Sequence, residues 1–131
     1  MISENNKVKS EDLGFALYEM RNDGCIVLRL VDDLMIDIEK AKLMDAALAK
    51  MTTDGPKKIL VITGKFTSAD DEARQFLASH VKEKQIEKTS VVIHSLSQRL
   101  LANFFLKVNK PAFKIRFFTD AHQAEKWLLS E

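Results

Sequence analysis

Between Gly64 and Glu72 the chain reads GKFTSADDE, two hydroxyls followed closely by three carboxylates. Thr67 and Ser68 are residue types that accept a phosphoryl group or bond the first turn of a helix. Asp70 and Asp71 bring fixed negative charge to the same point, and Ser68-x-x-Asp71 is a close relative of the capping box. Two further constellations could carry chemistry. Asp32, Asp33, Asp70 and His94 have the donor types of a divalent-metal site. Cys25, Ser95 and Ser97, with His94 nearby in sequence, are the candidates for nucleophilic catalysis. Each has a plainer reading. The acids serve as helix caps and first-turn residues, and a sequence neighbour does not make a base–nucleophile pair. HExxH, EF-hand, P-loop, GxGxxG and G-x-S-x-G patterns are all missing from the sequence. The chain is therefore expected to use no cofactor, no metal and no catalytic residue, and to be non-enzymatic. His80 and His122 are read as structural.

The elements that must position these residues follow from periodicity. Ile59 to Ile62 are four consecutive apolar residues, the mark of a strand covered on both faces. Residues 15–21 and 25–31 are β-rich and joined by Asn22-Asp23-Gly24, a strong hairpin signal. Asp37 caps a helix running to about Met51, its inner face Lys40/Ala41, Met44, Ala47, Leu48 and Met51. A second helix over 69–83 is capped by Thr67 or Ser68, and a strand spans 89–94. Ser97 caps a third helix over 98–108, and a strand spans 113–118. Thr119 or Asp120 starts a last helix with Ala121, Ala124, Trp127 and Leu128 facing inward. The order is ββαβαβαβα, an α/β fold whose sheet is mostly parallel after its opening hairpin and carries four helices. Residues 1–13 are expected to be a flexible leader and 14–131 one domain.

Composition bounds the rest. Hydrophobic content of 46% and charged content of 30% with net charge +1 describe an ordinary globular chain. No global field argues for nucleic acid or for stable membrane association, and no apolar run approaches the ~18 residues of a membrane span. The single cysteine cannot form an internal disulfide, so a reduced, cytoplasmic protein is the expectation. Arg99 to Thr119 holds five basic residues, five phenylalanines and no acid. Basic and aromatic residues so mixed are found in single-strand and membrane binders, but also in a core helix with solvated lysines. Seven of the nine residues Leu100–Val108 are apolar, more than one face needs. The extra cover is a partner subunit, a ligand or the terminal helix. A homodimer with Phe105 or Leu106 in the contact is the expected assembly.

Two stretches carry a family likeness. ILVITGKFTSADDEARQFL and SLSQRLLANFFLKVNKPAFKIRFFTDAHQAEKWL, in this element order, resemble the STAS domain of bacterial anti-sigma-factor antagonists. The likeness is closer still to uncharacterised STAS-like bacterial relatives, grouped at superfamily level with CRAL-TRIO-type lipid-binding domains. It implies a regulatory, protein-binding role, with Thr67, Ser68, Asp70 and Asp71 as the recognition loop. STAS antagonists carry Asp-Ser-Ser-Gly or Asp-Thr-Ser-Gly where this chain reads Ala69-Asp70-Asp71-Glu72, so acids replace the switch hydroxyl. The alternative implied function is binding of a small apolar ligand or lipid between the third helix and the sheet.

Overall fold

Six strands form the central sheet, in the order β1 (Lys7–Asp12), β2 (Ala16–Arg21), β3 (Ile26–Leu30), β5 (Lys57–Ile62), β7 (Ile86–Val92) and β8 (Ile115–Phe118). The computed structural model describes residues 7–80 and 85–130. β1, β2 and β3 are antiparallel neighbours, and β3, β5, β7 and β8 run parallel. Between them lie α1 (Ile38–Met51), α2 (Asp71–His80) and α3 (Leu96–Phe104), and α4 (Ala121–Leu129) closes the chain. A five-residue π-helical turn, Phe105–Asn109, continues α3. A second small sheet pairs β4 (Met35–Ile36) with β6 (Ser68–Ala69).

Each parallel strand is added on the same side of the one before, and right-handed crossovers then put the three connecting helices on one face. Ala16, Tyr18, Ile26, Leu28 and Ile59 point to that face, under Ala41, Met44, Leu48 and Met51 of α1 and Ala73 of α2. α4 follows the last strand, is bound by no crossover, and packs on the other face through Ala124 and Leu128 against Leu60, Val92 and Cys25. The alternation of Ile59 and Leu60 between the two cores explains why this strand reads as a continuous apolar run.

The hairpin, the first helix with its Asp37 cap, and the inward face of that helix are as the periodicity predicts. Gly24 supplies the left-handed residue of the hairpin turn, with φ of 88°. Four expectations need correction. Residues 7–12, read as part of a polar leader, form an edge strand on β2, because an edge strand buries little and needs no apolar alternation. Residues 1–6 lie outside the described residues. α2 begins at Asp71 and is capped by Asp70, whose Oδ1 accepts from Ala73 N–H at 2.9 Å; Thr67 and Ser68 do not cap it. The end expected at 81–83 lies outside the described residues. α3 is capped by Ser95, not Ser97, through Gln98 N–H at 3.1 Å. The terminal helix shields the opposite face and so does not cover α3.

The second face carries charge. Arg21 donates to Glu125 at 2.6 Å and to Asp23 at 2.8 Å, tying β2 and the hairpin turn to α4. Burial pushes the Asp23 carboxyl up, but the Arg21 and Cys25 N–H hydrogen bonds outweigh it and hold the pKa below the ordinary aspartate value. Lys88 threads under α4 and donates to the carbonyls of Trp127 (2.6 Å) and Ser130 (3.1 Å), a cation at a helix C-terminus. Replacing Glu125 with alanine removes the carboxylate that the buried Arg21 meets at 2.6 Å. The expected loss is about 3 kcal/mol of unfolding free energy, measured by urea titration.

Candidate functional site

The loops leaving the carboxyl ends of the parallel strands gather on one rim, the ligand face of open α/β sheets. After β5 the chain passes Thr63 and Gly64 directly against the backbone of the loop after β3. A Cβ on Gly64 would lie 2.6 Å from the carbonyl carbon and oxygen of Val31, so no other residue fits. The two loops are then stitched together. Lys65 N–H donates to Asp32 Oδ1 and Asp33 N–H to the Lys65 carbonyl, both at 2.7 Å. Ser68 N–H donates to the Leu34 carbonyl at 2.8 Å, starting the β4–β6 pair.

Thr67 sits at the centre of this knot. It is buried, its hydroxyl accepts from Gly64 N–H at 2.7 Å and donates to the Val31 carbonyl at 3.1 Å. Gln98 reaches the same place from α3: its amide nitrogen donates to the carbonyls of Gly64 and Thr67, both at 3.1 Å, while its oxygen accepts from His94 N–H. One buried glutamine thus ties three rim segments together.

The expected recognition loop is therefore divided. Thr67 faces inward, Ser68 is half-buried, and Asp70 spends its carboxylate on the α2 N-terminus. Asp71 alone is well exposed, with Arg74 at 3.3 Å. Of the expected contact pair, Phe105 is half-buried, while Leu106 is exposed. The proposed metal donors are likewise engaged apart. Asp32 accepts from Lys65 and Asp70 caps α2, while His94 Nε2 lies 2.6 Å from the Thr63 carbonyl. Among the described residues no three His, Cys, Asp or Glu side chains are placed to hold an ion. Ser95 Oγ serves the α3 cap, away from any base geometry. Cys25 is buried, and burial pushes its thiol up to about 11, the reverse of an activated nucleophile.

What the rim does present is apolar. Phe66 is 72% exposed at the tip of the knot and holds φ of 61°, a left-handed conformation costing an L-residue of its bulk about 1–2 kcal/mol. A groove lined by Phe66, Arg74 and Gln98 is bordered on α3 by Leu100 and Phe104, both exposed, and Leu96 is exposed at the start of the same helix. The Arg74 guanidinium lies 5.1 Å from the Phe104 ring centre. Sequence reasoning missed Phe66 and Leu96. The available signal was an aromatic in an otherwise polar loop, and a leucine between two serines at a helix start, off the inward stripe.

Beneath this groove, between α1, α2, α3 and the sheet, lies a cavity of about 220 Å3 lined by Leu28, Val61, Val91, Leu101, Phe105 and Phe117 among others.

A family model described as Domain of unknown function (DUF7793) matches residues 18–130. No match is found among curated proteins. Among solved structures, an uncharacterized DUF3478-family protein with a SpoIIAA-like fold from Shewanella loihica PV-4 is similar to this chain. It is 18% identical, covers 98% of this chain and 99% of its own, and has a TM-score of 0.53. At that identity the likeness concerns the fold, which is STAS-like, in agreement with the element order.

Two outcomes follow from the knot. Gly64→Ala forces the Val31 and Gly64 backbones apart and is expected to cost about 1–3 kcal/mol, read as a lowered denaturant midpoint with unchanged slope. Protein isolated from its host is expected to carry no phosphate on Thr67 or Ser68; stoichiometric modification of either in intact-mass and peptide spectra would refute this.

Proposed function

The chain belongs to the DUF7793 family, and from that premise, with its STAS-like fold, we propose that it works as a non-enzymatic recognition domain in the cytoplasm. Its contact surface is the apolar rim of Phe66, Leu96, Leu100 and Phe104, with Asp71 beside it as fixed charge. The observation that carries this reading is Phe66. A large apolar side chain held exposed in a left-handed conformation costs stability twice, through backbone strain and through hydration. A residue of that kind is explained by a contact it makes outside the chain. The rim also lies where STAS relatives carry their switch motif, at the junction of β5, its loop and α2. The partner with the simplest chemistry is a second copy of the chain, since an apolar patch is satisfied by another of the same kind and twofold dimers are the commonest soluble assembly. Leu106, exposed in the π-helical turn that continues α3, is a further candidate contact residue.

A second reading is small apolar-ligand binding. The cavity under α3 favours it, and it would bring the chain nearer to CRAL-TRIO-type lipid binders in role.

Sedimentation of the wild type at micromolar concentration is expected to give a dimer. A Phe66→Gly, Leu100→Ser double variant is expected to sediment as a monomer with thermal stability equal to or above wild type, because glycine relieves the strain at φ 61° and Leu100 is exposed. A variant that dimerises as wild type does, or a wild type that is monomeric and loses no captured host protein on this double substitution, overturns the recognition reading.

A further inference from the structure

The floor of the cavity under α3 is the sheet, and in its middle stands Thr89 of β7, 4% exposed. Its backbone N–H is used, donating to the Lys114 carbonyl at 2.9 Å, but its hydroxyl Oγ1 has no hydrogen-bond partner among the described residues. Buried hydroxyls are nearly always partnered, and leaving one without a partner costs roughly 1–3 kcal/mol. Two more unpartnered polar atoms belong to residues on the walls: Asp45 Oδ1 on α1 and Arg74 Nε on α2. Other hydroxyls bordering the space are already occupied: Tyr18 donates to the Met44 carbonyl at 3.2 Å, Thr63 to the Val92 carbonyl at 2.6 Å and Thr67 to the Val31 carbonyl at 3.1 Å. Ser68 and Gln98 border the space from the rim, and the remaining lining is aliphatic and aromatic. A void of this kind, apolar with one buried polar atom unsatisfied on its floor, has the construction of a small-molecule pocket.

We propose that this cavity binds a neutral, ring-sized apolar molecule bearing one hydroxyl, with the hydroxyl seated on Thr89 Oγ1. The proposal rests on the apolar-ligand reading above and narrows it to a ligand class. Size follows from volume: about 220 Å3 exceeds the ~150 Å3 that accommodates benzene in an engineered apolar cavity, leaving space for a ring and a few further heavy atoms. The head group follows from the polar atoms. A hydroxyl both donates and accepts, so it satisfies Thr89 Oγ1 in either sense. A carboxylate cannot donate, and in an apolar space it would give up its hydration for a single hydrogen bond from a neutral hydroxyl. Arg74, the cation on the wall, is engaged at the rim by Asp71 at 3.3 Å and by the Ala69 carbonyl. A molecule with no head group leaves Thr89 as unsatisfied as before.

The test compares benzyl alcohol, toluene and benzoate, which differ in the head group on one ring, by amide-shift titration of the full chain. Benzyl alcohol is expected to saturate one site with shifts at β7, α1 and α3, at least fivefold tighter than toluene and tenfold tighter than benzoate. Thr89→Val, nearly isosteric, is expected to bring benzyl alcohol and toluene within twofold of each other. Leu101→Trp, which fills the space, is expected to abolish binding of all three. No saturable binding of any probe to the folded wild type would overturn the cavity reading and this proposal together. Toluene binding as tightly as benzyl alcohol, or a preference unchanged in Thr89→Val, would overturn the hydroxyl seat and leave an apolar cavity standing. A preference for benzoate would overturn the neutral class. Binding undiminished in a folded Leu101→Trp would place the probe elsewhere and overturn the proposal. If that variant does not fold, the Thr89→Val comparison decides.

Discussion

The handedness of strand crossovers governs this molecule more than any single contact does. Four parallel strands are laid down in one direction, so three consecutive helices must fall on one face of the sheet. That face receives almost all of the cover and the larger core, and it must also find room for α3, the last helix to be added there. The fit of α3 is loose. The cavity lies beneath it, an apolar groove lies beside it, and its rod ends in a π-helical turn. The other face has one helix, whose smaller apolar cluster is joined by an ion pair, Arg21 with Glu125. The two faces thus differ in what holds them: apolar area on the first, a smaller apolar cluster with a few charge-assisted hydrogen bonds on the second.

The rim inherits its rigidity from backbone proximity. Gly64 lets two loops meet at a distance that no Cβ allows, and that contact brings Thr67 within reach of both Gly64 and Val31. Gln98 then secures α3 to the same loops, so the otherwise loosely seated helix is fixed at its N-terminal end. The Thr67 hydroxyl is thus part of the scaffold, and the exposed position at the tip of the loop belongs to Phe66.

Much of this was legible in the residues. The Asp-Gly hairpin, the Asp37 cap, the five inward residues of α1 and the alternation of strand with helix are local signals, and local physics realises them. The STAS-like likeness held at the level of fold because it rested on element order. What could not be read are features set by distant partners. Strand β1 is polar and has only β2 to define it. The β4–β6 pair is two residues long on each side. Asp70 displaced Ser68 as the cap because Ser68 was drawn into that pair, and Ser95 displaced Ser97 because Gln98, three residues on, is held by loops far away in sequence. The regular third helix expected over 98–108 also departs from the structure for a physical reason. The π-helical turn from Phe105 to Asn109 rotates the later side chains off the α-helical register, leaving Leu106, Lys107 and Val108 all exposed.

The two borders of the sheet bear on how such a molecule behaves when crowded. One is β1, with Lys9, Ser10, Glu11 and Asp12 along it and a bulge in its pairing near Lys9. The other is β8, four residues long and carrying an exposed Arg116. Charge, irregularity and brevity are the devices that keep open backbone edges from adding strands without limit. A chain with an apolar surface on its rim needs those borders closed. Strand addition propagates into fibres, whereas a side-chain contact is confined to the patch that makes it. The polar border strand is thus a safeguard of colloidal behaviour, acting at the far end of the sheet from the surface whose stickiness it makes tolerable.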